Sequence, residues 1–232
     1  MSTARNFRIY FEDEYCAAVY KKAGEDSQTF FTAFFPEKPF AAAVHRLDMP
    51  VSGLVLLAFS PRVQTLFSHA FTNSAIRKEY WAVCERAAAA PETSGEQRLE
   101  HWLGFHTKSR KAFICTAPCK IPLKRAALRW TLCGHGERYD FIRIIPETGR
   151  THQIRVQMAY IGRPIKGDLK YGARRSEQGG GIRLHAFGLC FTHPVTGMPV
   201  SVEAPPLQPD ALWRACIEAC LNGKEWGGIL NR

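Results

Sequence analysis

Residues 7–11 and 15–20 are short stretches rich in aromatic and β-branched side chains, parted by the acidic run Glu12-Asp13-Glu14. That pattern predicts a hairpin. Residues 51–59 predict a second kind of strand, apolar almost throughout and containing the longest strictly apolar run of the chain, Leu54 to Phe59. Ser60-Pro61 then offers an N-cap and a first-turn proline. Val63, Leu66, Phe67, Ala70 and Phe71 follow at the spacing of one helical face, so a helix is expected from there. Residues 80–84 read as a strand. Residues 86–98, with four consecutive alanines, Pro91, Ser94 and Gly95, read as a surface connection.

Further along, residues 126–133 and 138–145 predict strands around the Gly134-His135-Gly136 turn. Residues 151–161 carry Ile154, Met158 and Ile161 on one helical face, with Gly162 as the stop. Residues 174–181 form a charged, Gly-rich loop. Residues 184–192 and 199–202 flank a Pro-Val-Thr-Gly turn, and residues 209–221 predict a last helix closed by Gly223. Strands outnumber helices and no regular βαβ alternation occurs. The expected class is α+β, with a mostly antiparallel mixed β-sheet flanked by a few helices and loops.

Length and composition narrow this further. The 232 residues suit one domain, spanning 1–232. With 46% hydrophobic and 22% charged residues the chain can build a core and is not a disordered polymer. A six-residue apolar maximum is far short of the roughly 20 that a membrane-spanning helix requires. No leader pattern precedes Arg5 and Arg8, so the cytoplasm is the expected location. Eight cysteines raise the question of a metal. The pairs Cys115/Cys119 and Cys216/Cys220 are each separated by three residues, which is not a zinc-knuckle spacing, so buried reduced thiols are expected and no metal is assigned.

The net charge of +10 is uneven. Between Gly104 and Arg183 stand 17 basic and 5 acidic residues, whereas the remainder holds 14 and 16. A localised basic surface suits a polyanion, because Lys and Arg displace counterions condensed on phosphates; it also suits a merely solvated face. No Walker loop, GxGxxG, HExxH or GxSxG motif occurs, which disfavours nucleotide hydrolysis, dinucleotide redox chemistry and zinc proteolysis. Two polar segments remain. In the segment from Val44 to Gly53, reading VHRLDMPVSG, Asp48 follows Arg46 and precedes an apolar strand; as structure alone it caps a turn, and as chemistry it stands at a sheet mouth. In the segment from Glu147 to Arg155, reading ETGRTHQIR, His152 and Arg155 lie three apart at a helix start, which is either solvated or an anion site.

Four blocks in order, HRLDMPVSGLVLLA, KEYWAVCE, ETGRTHQIRVQMAYIGRPIKGDLKYG and LHAFGLCFTHPVTG, together with the opening FEDEYCAAVYKKAG, resemble the RluA-type family of RNA pseudouridine synthases. The resemblance runs from about Phe7 to Pro206. It implies the pseudouridine synthase fold as a single catalytic domain, without the separate N-terminal RNA-binding domain that many members carry. It implies Asp48 as the catalytic carboxylate, Arg46 as an arginine engaging RNA near the flipped nucleotide, Tyr80 as the residue stacking on the target base, and Arg155 as the arginine that pairs with the carboxylate. Judged on pattern alone, Tyr80 reads as a sheet-core aromatic.

The implied partner is structured RNA, ribosomal or transfer, acted on by a monomer with no cofactor, since the reaction only rearranges atoms. Lys108, Arg110, Lys111, Lys124, Arg125 and Arg129 are the expected backbone contacts. Three departures from the family pattern stand out: Val51 where Thr is common, Lys22 where Pro is common, and Gln157 where His is frequent. The alternative expectation is an RNA-binding or ribosome-assembly factor on the same scaffold.

Overall fold

A computed structural model describes residues 8–27, 35–86, 95–117, 120–177 and 179–222. Phe7, Gly223, Cys119 and most of the 86–98 connection lie outside them. The chain packs as two compact units, each assembled from separate stretches: residues 8–78 with 186–206, and residues 79–185 with 207–222.

In the first unit the expected hairpin forms from β1 (Ile9–Glu12) and β2 (Cys16–Lys21). Asp13 makes its turn by accepting the N–H groups of Tyr15 and Cys16 through Oδ1, both at 2.8 Å. β2 pairs antiparallel with β4 (Ser52–Ala58), which also receives the two-residue β3 (Ala42–Ala43). β4 is apolar on both faces because both are covered; Leu54, Val55, Leu56 and Leu57 have no exposed surface. Each such side chain contributes about 2 kcal/mol of burial. α1 (Pro61–Thr72) starts where expected, with Ser60 Oγ accepting Val63 N–H, and its Phe67 meets Phe191 edge-on at 5.5 Å. β10 (Leu184–Thr192) runs beside β4 through its part from Ala186 onward, and β11 (Pro199–Glu203) pairs antiparallel with it.

Gly53 is needed there. At φ 120°, its missing side chain leaves room for the Ala186 backbone, whose oxygen lies 2.2 Å from where a Cβ would stand. A turn closes just ahead of β4, at Asp48–Val51, where Val51 N–H bonds Asp48 O.

The second unit is a five-stranded antiparallel array in the order β5 (Arg77–Glu85, from Glu79 on), β9 (Tyr139–Pro146), β8 (Lys124–His135), β6 (Glu96–His106), β7 (Lys111–Ile114). The sequence pattern assigns no element between Arg98 and Ala126, yet β6 and β7 lie there, and β6 takes in Glu96–Arg98 from the expected connection. α3 (Ala211–Asn222) packs on β8 and β9 with Cys216 and Cys220 inward.

α2 (Gln153–Tyr160) departs from the expected one-sided helix. Six consecutive residues, Gln153 to Met158, are buried. Polar members are accommodated because each has partners. Gln153 Nε2 donates to Ala127 O at 3.0 Å, and Gln157 Nε2 lies within hydrogen-bond reach of Ala126 O and His101 Nδ1. Gln153 thereby avoids the 1–3 kcal/mol or so that an unmade bond costs, whereas Gln157 Oε1 is buried with no hydrogen-bond partner among the described residues.

Candidate active site

The HRLD segment is built in the first unit as a loop pinned on both sides. Ahead of Asp48, Val44 N–H bonds Leu56 O, and Leu56 N–H donates back to His45 Nε2 at 3.0 Å. His45 must be neutral to accept that bond. Burial, aided by the nearby Lys78 charge, pushes its imidazole down to about 3. Leu47 is clasped by Ser27, whose Oγ accepts Leu47 N–H and donates to Leu47 O, both at 3.2 Å.

Beyond Asp48, the carbonyls of Met49 and Val51 accept Lys21 Nζ at 3.1 and 2.6 Å, and Gly24 N–H also bonds Met49 O. Lys21 has no exposed surface, and burial pulls its ammonium down to about 8 against the lifting charges of Glu25, Asp48 and Asp26. The half-buried Asp48 thus stands on a backbone fixed at four neighbouring residues, with an ammonium in electrostatic reach. Arg46 is exposed two residues earlier.

Lys21, Ser27 and His45 have no role in the sequence reading. No local signal marks Lys21, which stands beside Lys22 and is seen to be buried only once β2 is covered.

Tyr80 and Arg155 belong to the second unit. Tyr80 lies on β5, half-buried and in register with Ile144 of β9. Arg155 lies in the first turn of α2 and forms a two-point pair with Asp168, Nε to Oδ2 at 2.7 Å and Nη2 to Oδ1 at 2.8 Å. Both residues are buried. The guanidinium carbon also sits 5.0 Å from the centre of the Tyr171 ring. Two of five N–H donors and one ring face therefore fix the plane of the guanidinium. Tyr171 Oη in turn accepts Ala112 N–H and lies 2.8 Å from His152 Nδ1.

His152 is consequently not on a helical face with Arg155. It is the N-cap of α2, in left-handed backbone conformation at φ 55°. Gln153 Oε1 accepts Arg150 N–H and lies 2.6 Å from Thr148 Oγ1, so the helix start is braced internally rather than open to solvent.

One further cluster brings potential metal ligands together: Asp13, Cys16 and His193. His193 Nδ1 accepts the N–H groups of Val195 and Thr196 at 3.2 and 3.1 Å. Its ring proton therefore resides on Nε2, facing Asp13 Oδ2 at 3.2 Å and Cys16 Sγ at 3.5 Å. Burial pushes the Cys16 thiol up, away from thiolate. A ligated metal requires the Nε2 lone pair and favours thiolate, so this donor set fits a pin between two turns better than a metal centre.

Together the sheet arrangement and the HRLD loop define a pseudouridine synthase domain. The fold matches the human RNA pseudouridylate synthase domain containing 1, with a TM-score of 0.73 and 22% identity over 91% of this chain and 88% of that one. The sequence profile described as RNA pseudouridylate synthase matches residues 11–160. Ribosomal large subunit pseudouridine synthase D of Vibrio parahaemolyticus is 33% identical over 182 residues, covering 73% of this chain and 53% of that protein. tRNA pseudouridine synthase C of Yersinia pestis is 31% identical over 249 residues, covering 95% and 92%. The chain belongs to the RNA pseudouridylate synthase family, in its RluA-type branch. It spans about half the length of the large-subunit synthases it matches.

Proposed function

We propose that this chain isomerises uridine in structured RNA to pseudouridine, with the Asp48 carboxylate meeting ribose C1′. The observation that carries this is the pinned HRLD turn: a single carboxylate held on a backbone that Lys21, Ser27 and His45 immobilise. Such fixing is what a reaction needs when a charged oxygen must meet one carbon at one angle. The bond from C1′ to uracil N1 breaks, the base turns, and C1′ joins C5, which then loses its proton while N1 gains one, so that product and substrate are isomers. A carboxylate suits an electron-poor anomeric carbon, as in glycoside hydrolysis. No redox or Lewis-acid chemistry enters the balance.

The reading assigns Arg155, with its plane fixed by Asp168, to support the negative charge of the carboxylate, and Arg46 to hold the RNA beside the extruded nucleotide. Tyr80 is assigned to the base itself. Leaving the stack costs a few kcal/mol, and an aromatic contact returns about 1–3 kcal/mol. The relatives' names point to ribosomal and transfer RNA, so the substrate class proposed is a uridine in folded RNA of either kind. The protein is proposed to act as a cytoplasmic monomer.

Asp48→Asn tests the assignment. Tritium release from RNA labelled at uridine C5 is expected to fall to background while RNA affinity stays within about 3-fold, since one neutralised carboxylate removes no phosphate contact. Release at the wild-type rate removes Asp48 from the chemistry. Loss of binding as well as turnover makes it an RNA-contacting residue instead.

A further inference from the structure

Strand β8 breaks its alternation at one place. Leu132 stands opposite Ile142 of β9 and Gly134 opposite Phe141, so two steps along β8 match one along β9, and Cys133 is the extra residue of a bulge. Neighbours on a regular strand point to opposite sides. Here both meet α3. A Cβ added to Gly134 would stand 3.1 Å from Ala219 Cβ, and the Cys133 thiol lies within hydrogen-bond reach of the thiol of Cys220, the next residue of that helix. Bulges re-aim side chains, and this one turns a sulfur onto α3.

Cys220 has a second sulfur beside it, that of Cys216 on its own helix. Cys216 Sγ also donates to Ala82 O at 3.9 Å, and Cys133 Sγ to Thr131 O at 3.7 Å. The two contacts of Cys220 permit different chemistry. Side chains four apart on a helix hold their Cβ atoms about 5–6 Å apart, whereas a disulfide needs roughly 3.5–4.5 Å. Cys216 and Cys220 therefore cannot join without unwinding α3. Cys133 approaches from a separate element and is under no such restraint. It also keeps some exposed surface, while Cys216 and Cys220 have none. The bond with Cys220, and then burial, push the Cys133 thiol up. Cys133 in turn lowers the Cys220 thiol, but the bond to Cys216 and burial together raise it further. Both sulfurs rest as thiols and react slowly, which suits sustained rather than passing oxidation.

We propose that Cys133 and Cys220 are an oxidation site, closing to a disulfide that fastens α3 to β8. The oxidant is a peroxide. The Cys133 sulfur attacks one peroxide oxygen, the O–O bond breaks, and a sulfenic acid and one water result. The Cys220 sulfur then displaces the hydroxyl group, the S–S bond forms, and a second water leaves. Two thiol hydrogens and two electrons have passed to the peroxide. The bond ties positions far apart in the chain, so it removes much freedom from the unfolded state. It involves no RNA and stands whether or not Asp48 acts on uridine.

The full chain is treated with hydrogen peroxide, its remaining thiols are alkylated in denaturant, and the unreduced digest is read by mass spectrometry. A peptide joining Cys133 to Cys220, two hydrogens lighter than its parts, is expected as the main product. The melting temperature of the oxidised chain is expected to rise by about 5 °C or more and to return with dithiothreitol. Cys133→Ser is expected to show neither the link nor the rise, and Cys216→Ala to keep both.

Three results in the wild-type chain overturn the proposal: Cys133 carried on to sulfinic acid with Cys220 still a thiol, a scatter of links among the eight cysteines, or both thiols intact after prolonged exposure. A link between Cys216 and Cys220 does the same. So does a Cys133–Cys220 link that leaves the melting temperature unchanged, because α3 is then not fastened, or a rise that persists in Cys133→Ser.

Discussion

At the scale of single residues, Lys21 carries opposing effects of similar size. The distance from 10.5 to about 8 corresponds to about 3 kcal/mol of unfavourable burial for the charged form. The sign follows from linkage. A lysine lowered on folding destabilises in full below pH 8, and the cost is relieved as pH rises from 8 towards 10.5. Against it stand three hydrogen bonds to the carbonyls of Lys22, Met49 and Val51. Lys21→Met removes both. Its melting temperature at pH 7 is expected to stay within about 3 °C of wild type, a change near 1 kcal/mol. Turnover is expected to drop about 10- to 100-fold, because the Asp48 turn loses its anchor; a misplacement near 1 Å is worth that much. Thermal melts and single-turnover tritium release check the two halves. An unfolded variant, or one with full turnover, denies Lys21 this role. None of this was legible beforehand, since a lysine beside Lys22 reads as surface until β2 is seen to be covered on both sides.

At the scale of elements, what the pattern revealed depended on whether a face was unambiguous. α1 was legible because its polar side is truly solvated and Ser60-Pro61 marks its start. β4 was legible because an unbroken apolar run has few other uses. β6 was not, although its inward row is Leu99, His101, Leu103 and Phe105; the outward row contains Trp102 and Gly104, and a histidine interrupts the inward one, so the two-residue period is blurred. α2 misled in the opposite direction. Its arginine and glutamines look like a wet face, but Asp168, Ala126 and Ala127 supply partners from distant sequence that no local pattern contains. Gly53 is the position where β4 meets the Ala186 backbone. Gly53→Ala combines a left-handed φ with a backbone clash, and is expected to cost on the order of 3 kcal/mol or more, read as a drop in the urea midpoint. A midpoint within experimental error of wild type would mean that β4 and β10 can part there without cost.

For the molecule as a whole, the charge imbalance read from the sequence gains a cause. Of the five acidic residues between Gly104 and Arg183, four are committed to basic partners: Asp140 to Arg163, Glu147 to Arg98 and Arg129, Asp168 to Arg155, and Glu177 to Lys166 and Arg183. Among the described residues no carboxylate pairs with the exposed Lys108, Arg110, Lys111 or Lys170, which is why the surplus can act at a surface. The same commitment predicts the acid response. Arg183 bridges Glu177 and Asp210, and these bonds hold the Asp210 carboxyl below its usual 3.8; the Glu177 carboxyl is also lowered, through Arg183 and Lys166, despite burial. A depressed carboxylate contributes stability that is present above its unfolded value and lost as pH falls through the folded one. Asp210 also accepts Trp213 N–H at the start of α3, a bond that asparagine can keep. Asp210→Asn is therefore expected to be less stable than wild type by about 1 kcal/mol or less at pH 7, its carboxylate being half exposed. The gap is expected to close as pH drops below about 4, because wild type then carries a protonated acid in the same place. Urea unfolding of both proteins at pH 7, 4 and 3 measures it, and a gap that persists undiminished at pH 3 assigns the loss to the α3 cap instead of the charge.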